Sequence, residues 1–486
     1  MKHFLNILVL LITLSVAGQN DITSKLYETY DHYKEPSLDK RRIKYADLQP
    51  LIAKLGNDTK YTIKKVGRSI EGRDLTLISV GSGKTNVLLW SQMHGDEPTA
   101  TQAIFDIFNF LNSPEFSSEK EAILSNLTLH FLPMLNPDGA EIFTRRNTLG
   151  VDINRDAVRL QSPESKTLKR VRDSLNANFG FNLHDQSIYY NAQRTDKPAT
   201  ISYLAPAYNY EKDINAVRAN AMKVIVYMNS IIQKYAPGQV GRYDDDFEPR
   251  AFGDNIQKWG TSTILIESGG YKDDIEKQEI RRLNYVSILS AIYSIAKENY
   301  KNIPLKDYEK IPQNDRKLFD LKLIGATYHL LDNDYIIDLG INRMEVDNDD
   351  HSSFYNIGRI MDQGDLSTYY GYETFDANGY TIVEGNIYPE TFKSVEDISK
   401  TDVFSLLKSG YTCLQIEELA DDQKTISKPI NLIKAENEMP KLVLKPGANS
   451  TFLLQKDGAI EYAVINGFLI NLNTKEGYFK NALVYK

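Results

Sequence analysis

Cysteine is almost missing. The 486 residues hold one, Cys413, so no intrachain disulfide framework exists and burial alone has to hold the fold. An excess of positive charge is also missing. Lys and Arg number 57 against 65 Asp and Glu, a net charge of −8, which argues against a footprint for nucleic acid or an anionic membrane surface. Long apolar runs are absent after the first residues, so no later segment reads as a membrane span. Histidine is scarce, with seven residues: His3, His32, His94, His130, His184, His329 and His351. Any histidine-based site must be drawn from them. What is present is ordinary for a soluble globular protein, 42% apolar and 25% charged, which excludes global disorder, collagen and coiled coil. The length predicts two to four domains.

The first residues read as a targeting segment. Lys2 and His3 precede an apolar run from Phe4 to Val16, and Ala17-Gly18 supplies small residues before polar Gln19-Asn20-Asp21. That is the layout of a cleavable secretory signal, residues 1–18. The run is shorter than the roughly 20 residues of a membrane-spanning helix. No cysteine follows it, which excludes a lipoprotein anchor. Export with a lone thiol predicts a periplasmic or extracellular protein of a bacterial envelope, with no membrane span after signal cleavage. Residues 19–40 are too short for a folded inhibitory prodomain.

Beyond residue 60, strand patterns alternate with helical ones. Leu75–Val80 and Asn86–Trp90 flank Gly81-Ser82-Gly83-Lys84-Thr85, which predicts a hairpin. The Gly-Lys-Thr triplet does not make a phosphate loop, because Ile78 stands where the first glycine is required and no helix follows. Helical spacing marks 99–111, 211–235 and 275–300. Short apolar runs at 127–135, 179–183 and 261–266 read as strands. The alternation predicts an α/β fold, a three-layer α/β/α domain with a mixed central sheet. A charged connector at 301–317 carries Pro304 and Pro312. After it, short β-prone runs dominate, among them a hairpin at Asp457-Gly458. The predicted division is a first domain over 19–304 and a β-rich accessory domain over 305–486.

Three polar clusters follow strand patterns: His94-Gly95-Asp96-Glu97, His184-Asp185 and Glu267-Ser268-Gly269-Gly270. In open α/β sheets ligands bind beyond the carboxyl ends of strands, so the three can converge. His94 and Glu97 are three apart and can share one side of a tight turn. With His184 they give two imidazoles and one carboxylate, the ligand set of a catalytic zinc site with an open position. His-x-x-Glu alone reads more readily as a surface turn with an ion pair. The strand-end placement and the distant histidine favour the metal.

The chain resembles the M14 zinc carboxypeptidase family, the carboxypeptidase A-like fold, over residues 40–300. Gly67–Arg73, His94-Gly95-Asp96-Glu97, Asn136-Pro137-Asp138-Gly139, Arg145-Arg146-Asn147, Gly150–Asp156, Asn182-Leu183-His184 and Ile264–Gly269 match its motifs in order. The resemblance implies one Zn2+ held by His94, Glu97 and His184, Glu267 as general base, and Arg145 as oxyanion stabiliser with Arg146 adjacent as the alternative. It implies that Asn154 and Arg155 bind the substrate's terminal carboxylate, a task suited to the planar guanidinium fork. Against these matches, Asp96 stands where digestive members carry arginine. Tyr243 is the nearest counterpart of the family's capping tyrosine, with spacing off by about two residues. Ala251-Phe252-Gly253-Asp254 lies where the side-chain pocket is expected.

Several bland readings stand beside these. Asp347-Asn348-Asp349-Asp350-His351 lacks the glycine of a calcium loop. Glu267-Ser268-Gly269 lacks the first glycine of a nucleophile elbow. Cys413 reads as a buried structural residue. Three functions are then carried forward. The first is a secreted zinc metallopeptidase that hydrolyses the C-terminal peptide bond. The second keeps this chemistry on peptidoglycan stem peptides. The third is a catalytically silent binding protein.

Overall fold

The structure, a computed structural model, describes residues 22–435, 437 and 441–486. The expected signal segment, residues 1–18, lies outside the described residues. Two compact units divide between Arg316 and Lys317.

The first unit opens with a helical stretch over residues 22–28 (α1) and α2 (Tyr45–Leu55). Strands β1 (Tyr61–Arg68), β2 (Asp74–Gly81) and β3 (Thr85–Ser91) follow, then α3 (Thr99–Asn112), α4 (Ser117–Asn126), β4 (Leu127–Leu132), α5 (Pro137–Glu141) and α6 (Pro163–Leu175). Next come β5 (Phe179–Asp185), the two-residue β6 (Asn191–Ala192), β7 (Ile201–Leu204), α7 (Ala216–Ile232), β8 (Val240–Arg242), α8 (Phe252–Lys258), β9 (Ser262–Ser268) and α9 (Gln278–Ala296).

Eight of these strands form one sheet in the order β1-β2-β4-β3-β5-β9-β7-β8. Its centre, β4-β3-β5-β9, is parallel, and antiparallel pairs flank it at β1-β2, β2-β4 and β9-β7. Both faces are buried, as parallel strands require. Alternation along β3 sends Val87 and Leu89 to a core with α3, α7 and α9, and Leu88 and Trp90 to a second core with α6 and α8. The predicted three-layer α/β/α architecture with a mixed sheet is the observed one.

The hairpin expected at residues 75–90 does not form. β4 lies between β2 and β3 and pairs with both. The loop is built to admit it. Gly81 has φ +99, and a Cβ at Gly83 would lie 1.8 Å from the backbone of Asn126, so two glycines let the start of β4 pass against the turn. A short glycine-rich link cannot by itself distinguish a hairpin from strands split by a third.

The segment after residue 21 is part of the core. Ile22, Leu26, Tyr30, Tyr33 and Leu38 are buried among residues of α3, α7 and α9. The predicted boundary at 304/305 also moves. Residues 305–316 stay with the first unit because Tyr308 is buried there, its hydroxyl oxygen accepting the backbone N–H of Ala205 at 3.0 Å. Residues 314–315 pair with β6.

The second unit is β-rich, as expected, with an eight-stranded and a five-stranded sheet. Phe452–Lys456 and Ala459–Ile465 form the predicted hairpin, turning through Asp457 and Gly458, both at positive φ, the conformation that favours Asp-Gly. Cys413 is buried, and burial pushes its thiol up to about 12. Among the described residues no helix is long and apolar enough to cross a membrane.

Candidate metal centre

β3, β5 and β9 run parallel, so their carboxyl ends meet at one edge of the sheet. His94 and Glu97 lie on the turn after β3, His184 near the end of β5 and Glu267 near the end of β9. The β3 turn is tight. Gln92 has φ 52, and its Nε2 donates to the Gly95 carbonyl at 2.9 Å. Gly95 is required there, since a Cβ would lie 2.1 Å from the backbone of Gly139 in α5. The Asn136-Pro137-Asp138-Gly139 motif thus supports the turn that carries the two ligands.

The ligand atoms of His94, Glu97 and His184 all lie within 4.8 Å of one another. Glu97 spans the pair, with Oε1 at 2.8 Å from His94 Nδ1 and Oε2 at 2.7 Å from His184 Nδ1. The two Nδ1 atoms are 3.2 Å apart, and all three side chains are buried. Asp152 Oδ1 lies 3.2 Å from His94 Nε2. A carboxylate only accepts, so with a cation held on the Nδ1 side Asp152 would take the His94 proton at Nε2 and fix the ligating tautomer.

This arrangement calls for a cation. Burial opposes charge on His94, yet Glu97 and Asp152 outweigh it and push the imidazole up to about 9. Burial pushes Glu97 up, and the two imidazoles reverse this and hold it well below the usual carboxylate range. His184 is pushed down by burial, so its imidazole favours the neutral form that ligates metal. Two imidazole nitrogens and a carboxylate, buried and convergent, fit Zn2+.

Arg145 stands beside this cluster. Its Nη1 is 3.1 Å from His94 Nδ1 and 3.3 Å from Glu97 Oε1, while Nε donates to Asp152 Oδ2 at 3.0 Å. Arg146 points elsewhere, donating to the Gly150 carbonyl. Between the two arginines, the geometry brings Arg145 to the cluster.

Glu267 pairs in register with His184 across β5 and β9. It is buried, and its Oε2 has no hydrogen-bond partner. Burial, and then the charge of Glu97, raises its carboxyl well above the ordinary value. The Tyr243 hydroxyl is raised by burial and then by the charge of Glu267. Its ring meets Tyr190 edge-on at 6.1 Å.

Asn154 and Arg155 form a short 3-10 turn with Ile153. Asn154 donates its N–H to Asp152 Oδ1 at 2.9 Å and accepts from the Phe252 N–H at 2.9 Å. That second bond ties the turn to the Ala251–Asp254 segment at the start of α8. Arg155 is exposed and sits 3.4 Å from Glu248. Asp96 is half-buried, its Oδ1 has no partner, and burial followed by the charge of Glu97 pushes it up to about 6.

Sequence reasoning assigned no role to Asp152, Thr99, Asp185 or Lys277. Asp152 stands inside the Gly150–Asp156 motif and Asp185 directly follows His184, so both carry a local signal. Lys277 carries no local signal.

Comparison with known proteins agrees with the motifs. Residues 53–234 match the zinc carboxypeptidase family model, Peptidase_M14. Glu267 lies beyond that segment. Carboxypeptidase E of Caenorhabditis elegans is 31% identical over 144 residues, covering 24% of this chain and 30% of the relative. Carboxypeptidase SOL1 of Arabidopsis thaliana is 27% identical over 175 residues, covering 30% and 35%. The chain thus spans about a third of the length of these curated relatives. Among solved structures, a metallo-carboxypeptidase from Pseudomonas aeruginosa aligns at a TM-score of 0.43 and 16% identity, covering 53% of this chain and 70% of that one. Over the segment that matches the family model, and through the ordered motifs it contains, the chain is similar to the M14 zinc carboxypeptidase family.

Proposed function

We propose that the protein is an exported zinc metallopeptidase that hydrolyses the C-terminal peptide bond of peptides. One observation carries this reading: the buried His94, Glu97 and His184 donor set with Glu267 in register beside it and Arg145 against it. Zinc in that set supplies a Lewis acid for the scissile carbonyl and an acidified water for attack.

The chain's own residues do the rest. Glu267 accepts the proton of the attacking water and returns it to the leaving amine nitrogen. The carboxyl's raised proton affinity suits both transfers. Arg145, oriented by Asp152, donates from Nη1 to the oxygen that gains charge. Asn154 and Arg155 bind the terminal carboxylate of the substrate, Arg155 exchanging its exposed contact with Glu248 for a paired one. Tyr243 covers the bound residue from the Glu267 side and limits water there.

Glu267→Gln tests this assignment. The variant keeps its zinc stoichiometry and loses at least about a hundredfold in turnover, the lower range for general-base removal. Metal retained with undiminished turnover removes Glu267 from the mechanism.

A further inference from the structure

A buried hydrogen-bonded chain lies on the far side of the sheet from the metal ligands. Phe181 and Leu183 face the core shared with α3 and α9, so alternation places Asp185 on that face and His184 on the opposite one. The same holds for Ser268 and Glu267, the neighbouring pair in register. On this face Lys277, the residue before α9, extends its ammonium back to both strand ends. Nζ donates to Asp185 Oδ2 at 3.0 Å and to the Ser268 carbonyl at 2.9 Å. Thr99, the first residue of α3, donates its hydroxyl to the same Asp185 oxygen at 2.6 Å.

Each link adjoins a different residue of the metal centre. Thr99 follows Glu97 by two positions, Asp185 follows His184 directly, and Ser268 follows Glu267 directly. The ammonium and the carboxylate are both nearly free of solvent, with side chains 6% and 7% exposed. Asp185 Oδ1 has no hydrogen-bond partner, so Lys277 and Thr99 hold that carboxylate through its other oxygen. Lys277 itself sits at φ 53, a left-handed conformation uncommon for a residue with a side chain. The backbone there is held so that the ammonium reaches inward.

We infer that Lys277 is a positioning residue, whose bridge to Asp185 and Ser268, extended by Thr99, fixes His184, Glu97 and Glu267 relative to one another. The inference rests on the proposed metal chemistry and adds to it a residue that touches neither ligand nor substrate. Three segments distant in sequence bring the ligands and the base together. A shared charged clamp under all three sets their spacing to the tolerance that metal geometry and proton transfer demand.

The test separates this role from simple stability. Lys277→Met leaves the Asp185 carboxylate buried without its cation, which destabilises the fold whatever else it does. The double variant Asp185→Asn with Lys277→Met removes both charges. It is expected to recover most of the thermal midpoint lost in the single variant. It should still bind zinc about 10–100-fold more weakly by chelator competition, the usual effect of losing an outer support. Its kcat should fall by a similar factor while KM stays within about twofold. Wild-type zinc affinity and kcat in a refolded, stable double variant overturn the inference. If the double variant does not fold, Thr99→Val decides on the same readouts, with weaker zinc binding expected and unchanged binding contradicting the inference. Zinc affinity is measured without substrate, so a wild-type protein that binds zinc and cleaves no peptide counts against the proposed function and leaves this readout intact.

Discussion

Asp152 holds the guanidinium of Arg145 through Nε at 3.0 Å and, with its other oxygen, the Nε2 edge of His94 at 3.2 Å. One carboxylate therefore orients a proposed metal ligand and the guanidinium beside it. The arrangement leaves Arg145 Nη1 turned to Glu97 and His94, where a carbonyl oxygen gaining charge would meet it.

From this follows an asymmetry between adjacent arginines. Arg145→Ala should lower kcat by about 10²–10³, the range for losing one oxyanion donor. Arg146→Ala should change it by about twofold or less, as for surface substitutions generally. Steady-state kinetics on one peptide substrate compares the two. Equal losses in both variants would remove the special placement of Arg145.

The buried clamp of Arg281 and Asp106 makes the segment near residue 30 part of the fold. Arg281 is fully buried. Its Nε and Nη2 meet Asp106 at 2.7 and 2.5 Å, and its outer nitrogens reach the carbonyls of Glu35 and Leu38. Asp106 also accepts from the Tyr30 hydroxyl and the Glu35 N–H. Arg281→Met leaves a buried carboxylate unpaired and should cost about 3–5 kcal/mol, read as a lower urea midpoint. Asp106→Leu with Arg281→Met should recover much of the loss. A single variant as stable as the wild type would contradict the clamp.

His130 predicts a pH dependence of stability away from the site. Its Nδ1 meets the Ser79 hydroxyl at 2.7 Å and its Nε2 lies 3.2 Å from Asn86 Oδ1. Both bonds suit a neutral ring. Burial, with a smaller contribution from Lys64, pushes the imidazole down from 6.5 to about 4. Between those values the unfolded chain binds a proton that the folded chain refuses, so stability falls as pH falls through that window, by up to about 1.4 kcal/mol per unit. Denaturation of the wild type and His130→Gln from pH 7 to 4 should show a shallower decline in the variant. Parallel curves would contradict the assignment.

The candidate metal centre was legible because its signals are local. His94 and Glu97 share one turn, and His184 and Glu267 each close an apolar run whose end marks a strand terminus. What was not legible depends on distant pairing. The hairpin reading of residues 75–90 failed because β4, some forty residues later, takes the place between the two strands. Lys277 lies 92 residues from Asp185, and no spacing rule connects them. The boundary near residue 304 was misplaced because a charged, proline-containing stretch looks like a linker. Tyr308 and the pairing of residues 314–315 with β6 anchor it to the first unit.

The most direct test of the metallopeptidase reading uses two peptides of one sequence, with a free and an amidated C-terminus, incubated with zinc-loaded, chelator-treated and zinc-restored protein. The account predicts release of single C-terminal residues from the free-acid peptide alone, abolished by chelator and restored by one equivalent of zinc. Equal cleavage of both peptides, or hydrolysis that persists after zinc has been removed, would contradict it.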